Sequence, residues 1–276
     1  MPTSITIQLH GDENQQHGSY LGSLMQGVLM EKIDPAYAEH LHMTGAHPYS
    51  QYIQANDNTL LWTVNALSKE AYEYIILPLL NDNEKCINLK HRQETLHIES
   101  KNLEQVSFDE LVQKYYLGNC SRKLCIRFLT PTGFKQDGKY CIFPTPRLIF
   151  QSLMLRQDAG AESSTIYSEE MVEEFEQYAE ITDYRLRSVK YSLEGVRIPA
   201  FIGDCTFRIR GPQQLVNVAH MLAQYGRFSG VGIKTGLGMG AMTVVEDRSY
   251  NKKNSIHITD TQYSTSNNET GKRGDS

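Results

Sequence analysis

The stretch GVGIKTGLGMG occupies residues 230–240 and leads directly into the apolar run AMTVV at 241–245. It contains five glycines in eleven residues, with Lys234 and Thr235 between them. Glycine adopts positive φ without steric cost, so such a loop can turn several backbone N–H groups toward one point. Amides that converge beside a lysine are typical of a phosphate site. A glycine-rich turn that holds no ligand is the alternative.

Two common nucleotide-binding motifs do not fit this loop. A Walker loop needs Gly directly before Lys and a helix after it, whereas Ile233 precedes Lys234 and a strand-like run follows. A dinucleotide fingerprint needs GxGxxG between a strand and a helix, whereas this loop has GxGxxxG after a predicted helix. The loop therefore predicts contacts to the backbone of a polyanion. The candidate binding residues are Gly230, Gly232, Lys234, Thr235, Gly236, Gly238 and Gly240.

Composition restricts the class of protein. The chain has 276 residues, a net charge of −5 and no apolar run long enough for a transmembrane helix. The N-terminus lacks the order of a signal peptide, so we expect a soluble cytoplasmic protein with no membrane partner. Five cysteines without CxxC spacing indicate reduced thiols. Because the sequence has neither an HExxH motif nor a carboxylate cluster, we expect no metal and no cofactor.

The acidic charge is unevenly distributed along the chain. Residues 1–119 carry 7 Lys and Arg against 15 Asp and Glu, whereas residues 120–250 carry 16 against 14. Nine of those 14 acidic residues lie between Asp158 and Asp183, where Ser168 and an apolar stripe predict a helix with a solvated acidic face. Outside that block the second half is basic, which allows a nucleic-acid surface on an acidic protein.

Apolar periodicity predicts the order strand, helix, two strands, helix, strand in the first half of the chain. The segments that show it are 4–9, 20–33, 49–55, 59–67, 69–80 and 87–106. This order is the βαββαβ ferredoxin-like unit. The second half repeats it loosely, with strands at 123–129, 184–193 and 200–210 and helices at 147–156, 168–180 and 213–225 around a Pro/Gly-rich segment at 130–146.

We therefore predict an α+β fold of two tandem ferredoxin-like (RRM-like) domains. The first spans 1–119 and the second spans 120–247, with the glycine loop near the end of the second. The polar residues 248–276 predict a disordered tail, because they hold too few apolar side chains to form a core.

The predicted strand at 200–210 places Arg208 and Arg210 on one face, because side chains two residues apart point the same way. With Arg227, they form a candidate basic surface beside the glycine loop. A solvated sheet face is the alternative interpretation.

A second candidate site lies in the first half, where LHMTGAHPYS at 41–50 places His42 and His47 around Gly45. Two histidines across a turn can face one cavity. RNA carries its own nucleophile, the 2′-OH, so cleavage needs a base for that proton, an acid for the leaving 5′ oxygen and donors for the phosphate oxygens. Imidazoles titrate near neutral pH and can make both proton transfers. Two ordinary surface or core histidines are the alternative.

The chain resembles the CRISPR-associated repeat endoribonuclease (Cas6) family, the precursor-crRNA processing enzymes of the RAMP superfamily. The glycine loop and the strand after it match the family pattern GxGxxxxxGxG. Residues 130–153 resemble its middle segment, and residues 24–27, 38–42 and 48–50 resemble its N-terminal helix and catalytic turn.

This resemblance implies two ferredoxin-like domains and metal-independent cleavage of CRISPR repeat RNA by attack of the 2′-OH, which leaves a 2′,3′-cyclic phosphate and a 5′-OH. It implies a catalytic role for His42, and it aligns His47 with a catalytic lysine of some members. Where other members have a catalytic tyrosine this chain has Met30, so Tyr37 and Tyr49 are weaker candidates.

The implied partner is the repeat RNA or crRNA. Subunits of a CRISPR effector complex and a second copy in a homodimer are further candidate partners, which the sequence itself does not indicate. A non-catalytic RNA-binding RAMP subunit of an effector complex is the alternative function.

Overall fold

In the computed structural model, the two halves of the chain form two separate sheets. The structure describes residues 1–11, 18, 20–43, 47–56, 59–161, 165–193 and 195–245. Met1–Val244 form one compact unit. The predicted disordered tail at 248–276 and the turn residue Gly45 lie outside the described residues.

The first sheet contains five strands in the order β2-β3-β1-β5-β4, and each neighbouring pair is antiparallel. Its strands are β1 (Thr3–His10), β2 (Tyr49–Asn56), β3 (Thr59–Ala66), β4 (Cys86–Leu89) and β5 (Glu94–Gln105). Helices α1 (Leu21–Lys32) and α2 (Pro35–Met43) connect β1 to β2. A continuous helix after β3 consists of α3 (Lys69–Ala71), a π-helical turn (Tyr72–Ile76) and α4 (Leu77–Asn81).

The second sheet contains four strands in the order β11-β6-β10-β9. Its strands are β6 (Lys123–Thr132), β9 (Ala179–Leu193), β10 (Val196–Ile209) and β11 (Met242–Val245), and a small hairpin pairs β7 (Phe134–Gln136) with β8 (Lys139–Cys141). The helices of this half are α6 (Pro146–Gly160), α7 (Glu169–Tyr178) and α8 (Gln213–Ser229). Between the halves lie α5 (Phe108–Leu111) and a second π-helical turn (Val112–Tyr116).

The predicted order of strands and helices is confirmed in both halves, although several elements begin or end at other residues than predicted. The acidic helix begins as predicted, with the Ser168 hydroxyl accepting a hydrogen bond from the Met171 N–H at 3.1 Å. It ends at Tyr178 rather than at residue 180, because Ala179 already pairs with Ile209 across β9 and β10.

The segment at 130–146 is more ordered than its Pro and Gly content suggests. It contains the end of β6 and the β7–β8 hairpin. The hairpin turns at Asp137 and Gly138, which have φ of 50° and 77°. Positive φ at both central residues is the signature of a type I′ turn, for which Asp-Gly is a favoured sequence.

Each sheet packs its helices over a separate apolar core. The first core surrounds Trp62, and the second contains Phe150 stacked on Phe175 with ring centroids 3.9 Å apart. Burial of these large side chains is the main favourable contribution to folding. None of the described helices is long and apolar enough to cross a bilayer.

Candidate active site

A cavity of about 710 Å³, here called the cleft, opens between elements of the two halves. The first half contributes Gln26 and Met30 of α1, Leu41 and His42 of α2, and His47 and Tyr49 at the start of β2. The second half contributes Phe134 and Lys135 of β7, one face of α6 (Leu148, Gln151, Ser152, Leu155, Arg156 and Ala159) and the loop residues 232–237. The two candidate sites from the sequence are therefore one site in the structure.

The glycine loop has a backbone that most side chains would disrupt. Gly232 and Gly240 adopt φ of 82° and 74°. A Cβ at Gly240 would lie 2.1 Å from the Val231 carbonyl oxygen, and one at Gly232 would lie 2.3 Å from that of Gly133. Glycine is required at both positions because a side chain would clash with backbone atoms that have little room to move.

Residues 232–237 of the glycine loop line the cleft, and their backbone N–H groups differ in whether they have a hydrogen-bond partner. Some loop N–H groups have protein acceptors, including that of Gly232, which donates to the Ser152 hydroxyl at 2.8 Å. Lys234 begins a 3₁₀ turn at Thr235–Leu237. Within the described ranges, the N–H groups of Lys234, Thr235 and Gly236 have no protein acceptor. Unpaired amides at the start of a helical turn attract anions.

The charges that line the cleft are positive. Lys135 and Lys234 are exposed at its surface, and the Arg156 guanidinium lies in its wall. No Asp or Glu is among the described residues that line it. The described part of the chain also holds no group of three His, Cys, Asp or Glu side chains with metal-site geometry. The cleft suits a polyanion.

His42 and His47 both line the cleft. Along the chain, His42 precedes and His47 follows residues 44–46, which lie outside the described residues. His42 is exposed in the last turn of α2, whereas His47 is half-buried. Burial lowers the pKa of His47, as do the nearby charges of Arg156 and His42, although a hydrogen bond with the Leu41 backbone opposes them. Its Nδ1 is buried and has no hydrogen-bond partner among the described residues.

Arg156 is a site residue that our sequence analysis did not identify. Its guanidinium donates to the carbonyl oxygens of His47 at 3.1 Å, Tyr49 at 2.9 Å and Ser229 at 3.1 and 3.2 Å. It therefore holds the start of β2 against the end of α8, where a cation also favours the helix dipole. A signal was present, because Arg156 continues the helical spacing of the buried residues Ile149 and Leu153.

The two candidate tyrosines occupy different places. Tyr49 is 2% exposed and its phenol lies under the glycine loop, so that a Cβ at Gly236 would be 3.1 Å from its Oη. Burial raises the pKa of Tyr49, although a hydrogen bond with Gln26 opposes this rise. Tyr37 does not line the cleft. It is buried in the first core, stacks on Tyr74 at 4.7 Å, and has a pKa raised to about 12 by burial.

The structure places Arg208 and Arg210 away from the loop, whereas Arg227 lies in the last turn of α8, three residues before Gly230. Arg210 pairs with Glu180, and Arg227 pairs with Glu104 at 3.1 Å. Arg208 and Arg210 precede α8, whereas the loop follows it. The 17 residues of α8 separate the two by about 25 Å. The alternation of side chains along the strand correctly predicted that Arg208 and Arg210 are exposed on one face. It did not show how far that face lies from the glycine loop.

Comparisons with known proteins give one family. A family model described as CRISPR-associated endoribonuclease Cas6 matches residues 126–242. A Mycobacterium tuberculosis protein of that description is 33% identical over 242 residues, which cover 87% of this chain and 77% of the relative. One from Streptococcus thermophilus is 34% identical over 221 residues, which cover 80% of this chain and 89% of the relative.

Solved structures share the fold. A Cas6 product complex superposes with a TM-score of 0.73 at 23% identity, covering 89% of this chain and 100% of that one. Thermus thermophilus Cas6 gives a TM-score of 0.70 at 24% identity, covering 89% of this chain and 98% of that one. The identities to the curated relatives, over most of both chains, show that this chain belongs to the CRISPR-associated endoribonuclease Cas6 family.

Proposed function

We propose that this protein is an endoribonuclease that cuts CRISPR repeat RNA in precursor crRNA. The observation that supports this most strongly is the shared cleft, which is lined by His42 and His47 from the first half and by Lys234 and its neighbours in the glycine loop from the second. Relatives of more than 30% identity are named as endoribonucleases, which supports the same activity.

In the proposed reaction, the scissile phosphate binds at the amides of residues 234–236, with Lys135 and Lys234 balancing its charge. One of His42 and His47 removes the proton of the 2′-OH, whose oxygen attacks the phosphorus. The other protonates the 5′ oxygen as the P–O bond breaks. The products are a 2′,3′-cyclic phosphate and a 5′-OH. We propose that no metal is needed, because imidazoles supply both proton transfers and the loop stabilises the charged intermediate.

Exposure of His42 distinguishes this proposal from the alternative of a non-catalytic RNA-binding subunit. A buried His42 would favour that alternative, because a buried imidazole could not reach a bound phosphate. His42 is exposed and lines the cleft, which favours the enzyme. We propose that Tyr49 supports the loop, because its phenol is buried under Gly236.

We also propose that both sheets belong to ferredoxin-like domains that divide near residue 119. In the first sheet β1 lies between β3 and β5, and in the second sheet β6 lies between β10 and β11. In both sheets, therefore, the first strand of the unit lies between its third and last strands. This is the strand arrangement that a βαββαβ unit forms. A cytoplasmic location, transfer of the product to effector subunits and homodimerisation remain predictions.

The proposed function is tested by incubating the protein with its repeat RNA in EDTA and determining the chemical ends of the products. We expect one cut that leaves a 2′,3′-cyclic phosphate and a 5′-OH, and no cut when the nucleotide before the scissile phosphate is 2′-deoxy. Cleavage of the deoxy substrate would rule out the mechanism. Tight binding without cleavage of the intact repeat would favour the RNA-binding subunit.

A further inference from the structure

Beside the cleft lies a surface of exposed apolar side chains that the proposed reaction does not use. Tyr140 is 42% exposed, Ile142 40%, Phe143 47% and Tyr184 57%. The rings of Phe143 and Tyr184 meet edge to face, with centroids 5.8 Å apart and planes at 89°. Each ring therefore limits the motion of the other while remaining open to solvent. We call these four residues, with Lys135 and Lys139, the hairpin surface.

The β7–β8 hairpin connects this surface to the cleft. Lys135 lines the cleft and pairs across the hairpin with Tyr140, so both side chains are on one face. The neighbouring pair faces the other way, where Phe134 is buried with its ring 6.3 Å from that of Phe201. Phe143 follows Tyr140 by three residues, a reach of at most about 10 Å. A chain leaving the cleft past Lys135 thus reaches the aromatic pair.

The composition of the hairpin surface indicates which ligand it binds. Exposed aromatic rings next to cations are the combination that binds single-stranded nucleic acid, because bases stack on rings while cations contact phosphates. Lys135 and Lys139 are both exposed, and Asp137 is the only acidic residue in the hairpin at 134–141. Tyr and Phe are also enriched at protein–protein interfaces, but lysine is depleted there, so the two lysines favour a nucleic acid over a protein partner.

We propose that the hairpin surface binds unpaired nucleotides that flank the cleavage site. Phe143 and Tyr184 stack on bases, and Tyr140 extends the stack toward the cleft. Lys139 contacts a phosphate of the flanking nucleotides, while Lys135, at the edge of the cleft, contacts the scissile phosphate. This inference rests on the proposed function, because it takes the ligand to be the RNA that emerges from the cleft.

Two RNAs with 2′-deoxy at the cleavage position test it. The short RNA contains only the nucleotides that the wild-type protein requires for cutting, and the long RNA adds several unpaired nucleotides on each side. We expect Phe143→Ala and Tyr184→Ala to weaken the Kd for the long RNA about tenfold each and to leave the short RNA unaffected. Phe143→Tyr keeps a ring and should bind like the wild type.

Tyr116→Ala is the matched control, since Tyr116 is 40% exposed and lies outside the hairpin surface. Wild-type affinity of the two alanine variants for the long RNA would overturn the inference and leave the surface to a protein partner. Equal weakening for both RNAs would also overturn it. Wild-type cleavage of the unmodified repeat is measured separately, so failure of the proposed function is distinguishable from failure of this inference.

Discussion

At the scale of single residues, Arg156 explains how the two halves share one site. Its three nitrogens bind carbonyl oxygens of His47, Tyr49 and Ser229, which belong to different parts of the chain. None of the described carboxylates lies within ion-pair distance of it. Its charge therefore acts on its surroundings, and it is one cause of the lowered pKa of His47.

Replacing Arg156 should change the pH dependence of cleavage. Arg156→Gln removes a charge that lowers the pKa of His47, so that pKa rises and the limb of the pH–rate profile set by His47 moves to higher pH. Arg156→Lys keeps the charge, so the limb set by His47 should remain at the wild-type pH. Because lysine cannot reach three carbonyl groups at once, the cleavage rate should fall. Single-turnover rates between pH 5 and 9 check this. An unshifted limb in Arg156→Gln would contradict it.

Lys234 combines a charge with an unusual backbone conformation. Its φ of 57° is in the left-handed region, which costs a residue with a Cβ about 1–2 kcal/mol. Lys234→Gly should raise the free energy of unfolding by about 1 kcal/mol, whereas Lys234→Ala should not. Both variants lose the charge, so each should reduce the slope of log Kd against log salt by about one. Unchanged slopes would show that Lys234 contacts no phosphate.

At the scale of elements, the site depends on close contact between α1, β2 and the glycine loop. The buried Gln51 side chain donates to the carbonyl oxygens of Gly22 at 2.6 Å and Gly236 at 3.1 Å, and accepts from the Trp62 indole at 3.1 Å. The Tyr191 hydroxyl of β9 donates to the Leu237 carbonyl oxygen. These buried bonds fix the loop relative to both sheets.

Two glycines of α1 provide a matched pair of variants. A Cβ at Gly22 would lie 2.8 Å from Gly238 Cα and 2.9 Å from the Leu237 carbonyl oxygen, whereas one at Gly27 would have no atom within 4 Å. Gly22→Ala should push α1 from the loop, lower the free energy of unfolding by about 1–3 kcal/mol and weaken RNA binding. Gly27→Ala should raise stability by up to about 1 kcal/mol. Urea unfolding measures the stability of both variants. Equal changes in the free energy of unfolding would contradict the close contact between Gly22 and the glycine loop.

The sequence predicted elements better than it predicted the site. Periodicity located the strands and helices because burial of one face dictates it, and the glycine pattern located the loop. His42 and His47 were predicted as a pair because they are only five positions apart, and both line the cleft. Arg156 was missed because its partner His47 is 109 positions away, and only the fold brings them together. The Asp137-Gly138 turn was a local signal that the Pro and Gly content of its segment concealed.

At the scale of the whole molecule, two histidines link folding stability to pH. The pKa of His220 is lowered by burial, although its Nε2 lies 2.8 Å from the Ser121 carbonyl oxygen, and the pKa of His47 is lowered as described. Because the folded state binds these protons less tightly, their stabilisation is complete above the unfolded pKa of about 6.5. This stabilisation is lost as the pH falls from about 6.5 through the pKa that each histidine has in the folded protein.

Stability should therefore decrease between pH 7 and 5.5, with each histidine adding at most about 1.4 kcal/mol per pH unit to the slope. His220→Gln should reduce this slope, because it removes one of the two groups. Urea unfolding at several pH values measures it, with His97→Gln as the control for loss of an exposed imidazole. A slope that is identical in His220→Gln and the wild type would refute the linkage.

The central claim is that the imidazoles and the glycine loop act on one phosphate in the cleft. The most direct test is the single-turnover cleavage rate of His42→Ala and His47→Ala on repeat RNA, measured beside their Kd for the uncut RNA. We predict rates lower by about 10²- to 10⁴-fold with Kd nearly unchanged. Wild-type rates in both variants would contradict the claim, as would a loss of cleavage that follows loss of binding.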